Sequence, residues 1–173
     1  MQARVPIDVD PDTGVWMTDG LPMLYVPRHF FVNNHAAIEQ ALGREAYARQ
    51  LYGAGHASAY TWCDAEAVTH GKQGLDVFSH YLDRLSSRGW GLFDFIEVDP
   101  ERAHARIRLR HSSMVLGQPE AKGLLCYMFA GWFAGAMDWV NRERRPVLRA
   151  VCEESACQAQ GHAHCTFTVT LQK

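Results

Sequence analysis

The chain has 173 residues, 47% of them apolar and 21% charged, and a formal net charge of −2. That is enough for one domain with a substantial core and too little for two comfortable ones, and the balanced charge gives no reason to expect nucleic-acid binding, which normally needs a basic face. No apolar run follows Met1, so no signal peptide is expected; the five cysteines, an odd count, read as free, buried or metal-bound thiols of a cytoplasmic protein.

Val15-Trp16-Met17-Thr18, Asp19-Gly20 and residues 21–26 spell a hairpin, because Asp-Gly accepts the positive φ angles of a type I′ turn. Pro22 lacks an amide hydrogen and places its strand at a sheet edge. A helix is expected after Pro27, ending near Leu42-Gly43. Residues 45–70 read as a second helix. Gly53 and Gly55 within it each cost about 1 kcal/mol against alanine, so they signal close packing or a break. A third helix runs from Leu75 to Ser87 and ends at Arg88-Gly89.

Residues 90–98 form the next strand, Asp99-Pro100-Glu101-Arg102 a turn, and residues 103–111 alternate strictly. Ala103, Ala105, Ile107, Leu109 and His111 share one face, and His104, Arg106, Arg108 and Arg110 the other. The parity therefore places His111 inside and Arg110 outside. Arg106, Arg108 and Arg110, and later Arg142, Arg144 and Arg145, read as solvated faces.

After a loop at Gly117-Gln118-Pro119-Glu120, residues 123–140 form a strongly apolar helix. The stretch is about one turn short of a membrane span and carries Asp138. Ala130, Gly131, Ala134 and Gly135 suit close helix packing, so it reads as a buried core helix with Trp132 and Phe133 in the core. A basic turn ending at Pro146, a strand over residues 147–153, a Cys/Gly loop and a β-branched strand from Cys165 to Leu171 follow. The order ββ-ααα-ββ-α-ββ, with no βαβ repeat, argues for an α+β domain. Its parts are an antiparallel sheet with an N-terminal hairpin, central helices, one long apolar helix and a C-terminal strand pair.

The chemistry concentrates in the last third. Cys157 and Cys165 flank a loop containing Gly161, His162 and His164, Glu154 precedes them, and Cys126 stands at the head of the apolar helix. Thiolates bind zinc strongly, and a short loop bent at a glycine brings two of them to one ion. On the residues alone, the cluster is either a metal site, with His162 and His164 as substitute ligands, or a set of small buried hydrophobes, as Cys63 is read to be.

These pieces resemble the 4-vinyl reductase domain family, which includes the N-terminal sensor domains of phenol-responsive transcriptional activators. The likeness covers roughly residues 14–171. It rests on the Gly-rich apolar helix, the short strand after it, and the terminal Glu154-x-x-Cys157-x7-Cys165-x-Phe167-x-Val169. Gly14-Val15-Trp16, Met23-Leu24-Tyr25-Val26 and Leu42-Gly43-Arg44-Glu45-Ala46 support it. The resemblance implies an α/β ligand-binding domain, usually a homodimer, with a small-molecule pocket above a structural zinc held by three Cys and one Glu. Carried onto this sequence, those ligands are Cys126, Glu154, Cys157 and Cys165. Cys152 competes with Cys126, because the stretch between Cys126 and Glu154 is longer than in the sensors. Residues 1–13 become an N-terminal extension and residues 14–173 a single 4-vinyl-reductase-like ligand-binding domain. In the sensors a His on the third helix and a Trp near the end of the central hairpin hold the ligand hydroxyl. His80 falls where that His belongs, but Leu109-Arg110-His111-Ser112-Ser113 replaces the Trp, which argues against phenol. The candidate ligand-binding residues are His80, His111, Ser112, Tyr127 and Trp132, a set suited to a polar or anionic small molecule. Alternatively, Trp90, Phe93 or Trp132 offers a ring face to a methylammonium-type cation.

Three functions are in play. The first is a stand-alone small-molecule sensor or carrier, stabilised by zinc and acting through a partner protein, since no glycine-rich phosphate loop or recognition helix is present. The second is an accessory subunit or enzyme of a reductive or catabolic pathway. It lacks a Gly-x-Gly-x-x-Gly fingerprint and iron–sulfur spacing, so its electrons would come from elsewhere. A hydrolytic zinc centre is disfavoured, because four protein ligands leave no place for an activated water. The third is a structural subunit, as related folds serve in vesicle-tethering assemblies. The first is preferred, with no catalytic residue, no nucleic acid and no membrane.

Overall fold

The computed structural model describes residues 5–143 and 147–172. Arg144, Arg145 and Pro146 of the expected basic turn lie outside the described residues, as do residues 1–4 and Lys173.

The N-terminal strands form a small antiparallel sheet of β1 (Asp8–Val9), β2 (Trp16–Thr18) and β3 (Leu21–Met23), in that order. Asp19 and Gly20 link β2 to β3 with φ of 53° and 77°, the two positive angles a type I′ turn needs. β3 stops at Met23 and Pro22 sits at the sheet edge, where its missing donor is harmless. β1 had no sequence signal; Asp10 builds the turn behind it by accepting the amides of Asp12 and Thr13.

Helices α1 (Arg28–Leu42), α2 (Arg44–His70) and α3 (Leu75–Ser87) follow as expected. Gly43, at φ 78°, ends α1 and starts α2 within one residue. α2 runs unbroken through Gly53 and Gly55 for 27 residues, about 40 Å.

The second sheet consists of β4 (Leu92–Asp99), β5 (His104–Arg110), β6 (Ala150–Ala156) and β7 (Cys165–Leu171). All pairs are antiparallel, in the order β4-β5-β7-β6. Ala105, Ile107 and Leu109 face inward and are fully buried, as their parity requires. On the outer face Arg108 pairs with Asp94 opposite it, and Arg106 with Glu97. His111 corrects the expectation. The strand ends at Arg110, His111 turns left-handed at φ 55°, and its side chain is exposed. Alternation holds only while the chain is extended.

A short helix, α4 (Ser113–Leu116), is capped by Ser112, whose hydroxyl accepts the Met114 amide. The apolar helix α5 is shorter than the apolar stretch in the sequence: it spans Met128–Val140, because residues 123–127 run as an irregular segment ahead of it. No helix among the described residues is long and apolar enough to cross a membrane.

α5 lies between the inner face of the sheet and α2. Towards the sheet, Phe129 and Phe133 meet Phe93 and Phe167 in edge-to-face contacts of 5.0–6.1 Å. Towards α2 the helices touch through backbone. A Cβ on Gly131 would stand 2.2 Å from the Tyr52 carbonyl oxygen, and one on Gly135 2.3 Å from that of His56. Gly55 on α2 returns the contact, since a Cβ there would meet Trp132 at 2.3 Å. Gly55 thus marks close packing rather than a break, while Gly53 has open space beside it. At the end of α5 buried Asp138 accepts the Ala150 amide at 2.7 Å and meets His56 Nε2 at 3.0 Å, joining α5, α2 and β6.

Gly131→Ala is therefore expected to destabilise the domain by about 1–3 kcal/mol through overpacking against helix backbone. Gly53→Ala is expected to be neutral or stabilising by up to about 1 kcal/mol. Equilibrium denaturation of the two variants checks the contrast.

Candidate functional site

Glu154 and Cys157 stand three residues apart, an odd interval that puts residues of a regular strand on opposite faces. Along β6, Ala150, Cys152 and Glu154 face inward and Val151, Glu153 and Ser155 outward. The pairing with β7 then slips: Glu154 opposes Phe167 and Ala156 opposes Thr166, leaving Ser155 as an extra residue. This bulge shifts the parity by one and turns Cys157 back to the inner side. β6 also begins at Ala150 instead of residue 147 and continues to Ala156, so Glu154 is fixed by a ladder rather than carried on a loop.

Beyond Cys157 a single 3-10 turn, Gln158–Gln160, ends at Gly161 with φ 90°, a left-handed angle that suits glycine. Gln160 Oε1 accepts the Cys157 amide and clamps the turn. The chain then enters β7 with Cys165, Phe167 and Val169 inward. Cys126 arrives from the other side, just before α5. Its amide donates to Glu154 Oε2 at 2.8 Å, and its carbonyl accepts the Phe129 amide.

The ligand atoms of Cys126, Glu154, Cys157 and Cys165 all lie within 4.8 Å of one another, and all four residues are buried. Cys165 Sγ is 3.6 Å from both Cys126 Sγ and Cys157 Sγ. The Gln158 amide donates to Cys165 Sγ at 3.3 Å, and Ser112 Oγ is 3.0 Å from Cys126 Sγ. Glu154 Oε1 is buried with no hydrogen-bond partner. Four acids so close cannot all ionise. The two neighbouring thiols pull the Cys157 pKa well below the ordinary thiol value, with help from the Leu125 and Ala159 amides. Contacts with Cys157 and Cys165, together with burial, hold Cys126 far above that value. Burial, and then Cys157, likewise raise Glu154 above the usual carboxylate range. The cluster therefore favours an anionic thiol at Cys157 over one at Cys126, and a bound cation would favour loss of the remaining protons. The cluster is one that can hold a metal ion.

The competing residues lie elsewhere. Cys152 is buried one register step along β6, outside the cluster, and burial and then Glu153 push its thiol pKa up. His162 is exposed and His164 half-buried, and neither joins the cluster. Cys63 is fully buried, and desolvation raises its thiol pKa, an environment that disfavours the reactive thiolate.

The expected pocket residues do not form one group. Trp132 and Trp90 line a cleft of about 520 Å³ between β3 and the helices α2 and α3, together with Leu21, Met23, Trp62 and Tyr81. An adjoining cleft of about 420 Å³ shares Met23, Arg88 and Trp90 and reaches Ser113. His80 stands behind Trp62, with ring centres 5.7 Å apart, and its Nε2 is 2.8 Å from Glu66 Oε2. Burial lowers the His80 pKa, opposed by the hydrogen bond to Glu66. Ser112 serves the thiol cluster, Tyr127 donates to Glu39 Oε2 at 2.7 Å, Phe93 is in the core, and His111 is exposed.

The sequence reading overlooked Glu66, Asp19 and Arg88. Glu66 is fully buried and also meets His70 at 3.1 Å, while Asp19 pairs with Arg84 at 2.8 Å. Glu66 and His70 lie four apart on α2, which places them on one face; nothing local signalled that α3 and the β2–β3 turn would cover that face.

Exchange of Cys126 for Ser should abolish bound divalent metal, as read by elemental mass spectrometry on untagged protein, whereas Cys152→Ser should leave it unchanged.

The chain belongs to the family described as domain of unknown function (DUF5943), which matches residues 1–96. No curated protein matches the sequence. Among solved structures it is similar to the phenol-responsive sensory domain of the transcription activator PoxR, determined with phenol. The TM-score is 0.77 at 12% identity, over 95% of this chain and 84% of that one. It is also similar to a trafficking protein particle complex subunit 3 from Naegleria fowleri, covalently bound to palmitic acid. There the TM-score is 0.58 at 12% identity, over 84% of this chain and 95% of that one. A vinyl-4-reductase family protein from Methanocaldococcus jannaschii gives 0.54 at 15% identity, over 87% and 85%. The fold is thus 4-vinyl reductase-like.

Proposed function

We propose, for a chain of this family and fold, a small-molecule-binding sensor or carrier domain, residues 14–173, whose scaffold is cross-linked by a structural zinc. The observation that carries the binding role is the aromatic cleft of about 520 Å³. Its volume is in the range of small-molecule sites, and its lining is largely aromatic and apolar with few polar groups, as such sites require. The likeness to a domain determined with phenol supports the same reading. The pair Ser112-Ser113 joins the two parts of the molecule: the first hydroxyl meets Cys126 and the second residue lines the adjoining cleft.

The donor set fits zinc. Thiolates about 2.3 Å from one tetrahedral ion are about 3.8 Å apart, close to the 3.6 Å between these sulfurs. Glu154 Oε1, buried without a hydrogen-bond partner, is a free lone pair at the cluster, and amide-to-sulfur bonds favour the anionic thiols. Bound there, zinc would tie the segment before α5 to β6 and β7. Four protein ligands give it a structural role and leave the cleft for binding, not hydrolysis. The free, buried cysteines suit a reducing, cytoplasmic setting.

The same reading makes the chain a homodimer that signals to, or hands its ligand to, a partner protein. The β2–β3 hairpin, the segment that follows it and α1 leave Trp16, Leu24, Tyr25, Phe30 and Leu42 exposed, with Leu24 at 87% and Tyr25 at 84%. Trp16 and Tyr25 stack with ring centres 5.8 Å apart, and exposed apolar surface that clusters in this way marks an interaction face.

Two measurements test the proposal. In a thermal-shift screen over aromatic, amine and carboxylate compounds, a ligand at a hundred times its Kd should stabilise the fold by about 2.7 kcal/mol; no shift with any class would refute the binding role. Light scattering should return twice the 19.5 kDa chain mass, and Tyr25→Glu should reduce it to the monomer.

A further inference from the structure

Buried polar atoms without a partner are rare in folded proteins, and their chemistry indicates what is meant to meet them. Around the two clefts these atoms are donor groups. Arg88 Nε and Nη2 and Trp62 Nε1 are buried and make no hydrogen bond, as is the hydroxyl of Ser113, which can donate or accept. Trp62 and Arg88 line the larger cleft, and Arg88 and Ser113 the adjoining one. Trp62 is 7% exposed, and the Arg88 guanidinium carbon lies 5.6 Å above its ring. The buried carboxylate and amide oxygens without partners, Asp19 Oδ2, Glu66 Oε1, Asn141 Oδ1 and Glu154 Oε1, belong to side chains that line neither cleft.

Resting on the binding role proposed above, we infer that Arg88 is the anchoring cation of the cleft and that the ligand is an apolar, aromatic monocarboxylate. A guanidinium with two free N–H groups matches a carboxylate in fork geometry. The indole N–H of Trp62 and the Ser113 hydroxyl offer further donors, and the rings of Tyr81, Trp90 and Trp132 enclose an aromatic body. Burial already lowers the Arg88 pKa, with Glu66 and Asp19 opposing it; a carboxylate would offset that desolvation penalty by charge pairing. Neutral phenols and alcohols can take one such donor but leave the guanidinium unmatched. Cationic amines are repelled by it.

The test compares 2-naphthoate with its neutral counterpart 2-naphthylmethanol by calorimetry on the full chain, since the two share a ring and differ in the anion. The acid should bind at least tenfold more tightly to the wild type. Arg88→Gln should weaken the acid by about tenfold to a hundredfold and leave the alcohol within a factor of three. Arg88→Lys retains charge without the fork and should fall in between. Equal binding of the two probes, tighter binding of the alcohol, or an acid preference that survives Arg88→Gln would overturn the inference while leaving the cleft as a binding site. The wild-type comparison decides the matter even if the Arg88 variants do not fold. Failure of both probes, with a thermal shift from some other class, overturns the anion preference alone; silence across every class overturns the binding role with it.

Discussion

At Gly131 and Gly135 the backbone of α5 rests on the Tyr52 and His56 carbonyls of α2, nearer than any side chain permits. The other side of α5 covers the sheet through Phe129 and Phe133. Because one helix is pressed between two layers, its position locates everything attached to it. Cys126 arrives just ahead of its first turn, Trp132 points into the cleft from its middle, and Asp138 closes its far end against His56 and the Ala150 amide. Close packing of this kind is stiff, so a displacement of α5 would reach the thiol cluster and the cleft together.

The cluster itself is an electrostatic problem with a small number of solutions. Four acidic groups within 4.8 Å can keep protons or share a cation, and the amides around Cys157 and Cys165 bias at least one thiol towards the anion. Between α2, α3 and the β2–β3 turn, Glu66 meets His70 and His80, and Asp19 pairs with Arg84, while Glu66 Oε1 and Asp19 Oδ2 stay without a hydrogen-bond partner. Arg88 is close enough to feel this network but shares none of its hydrogen bonds, and the same residue lines the aromatic cleft.

Much of the architecture was legible locally. The Asp19-Gly20 turn, the stops at Gly43 and Ser87, and the alternation of residues 105–109 depend on φ preference and on period-two or period-3.6 burial, which neighbours in sequence determine. The misreadings sit where the pattern is interrupted. His111 was assigned by parity, yet a single left-handed residue ended the strand. Residues 123–127 are as apolar as a helix but run irregularly, because Cys126 is held by a hydrogen bond to Glu154, 28 residues away. β1 and α4 are too short to give a periodic signal.

From the sequence alone came the order of elements, the α+β class and the presence of a thiol and carboxylate donor set, because composition, spacing and turn chemistry are local properties. Which thiol joins that set was a tertiary decision: Cys126 enters and Cys152 does not, since the Ser155 bulge and the docking of α5 set which side chains converge. The cleft was decided the same way. His80, foreseen as a ligand contact, is engaged by Glu66, whereas Arg88, which ended a helix in the sequence reading, borders both cavities. Side-chain partners drawn from α2, α3 and the N-terminal hairpin meet only after those elements pack, and no spacing along the chain encodes that meeting.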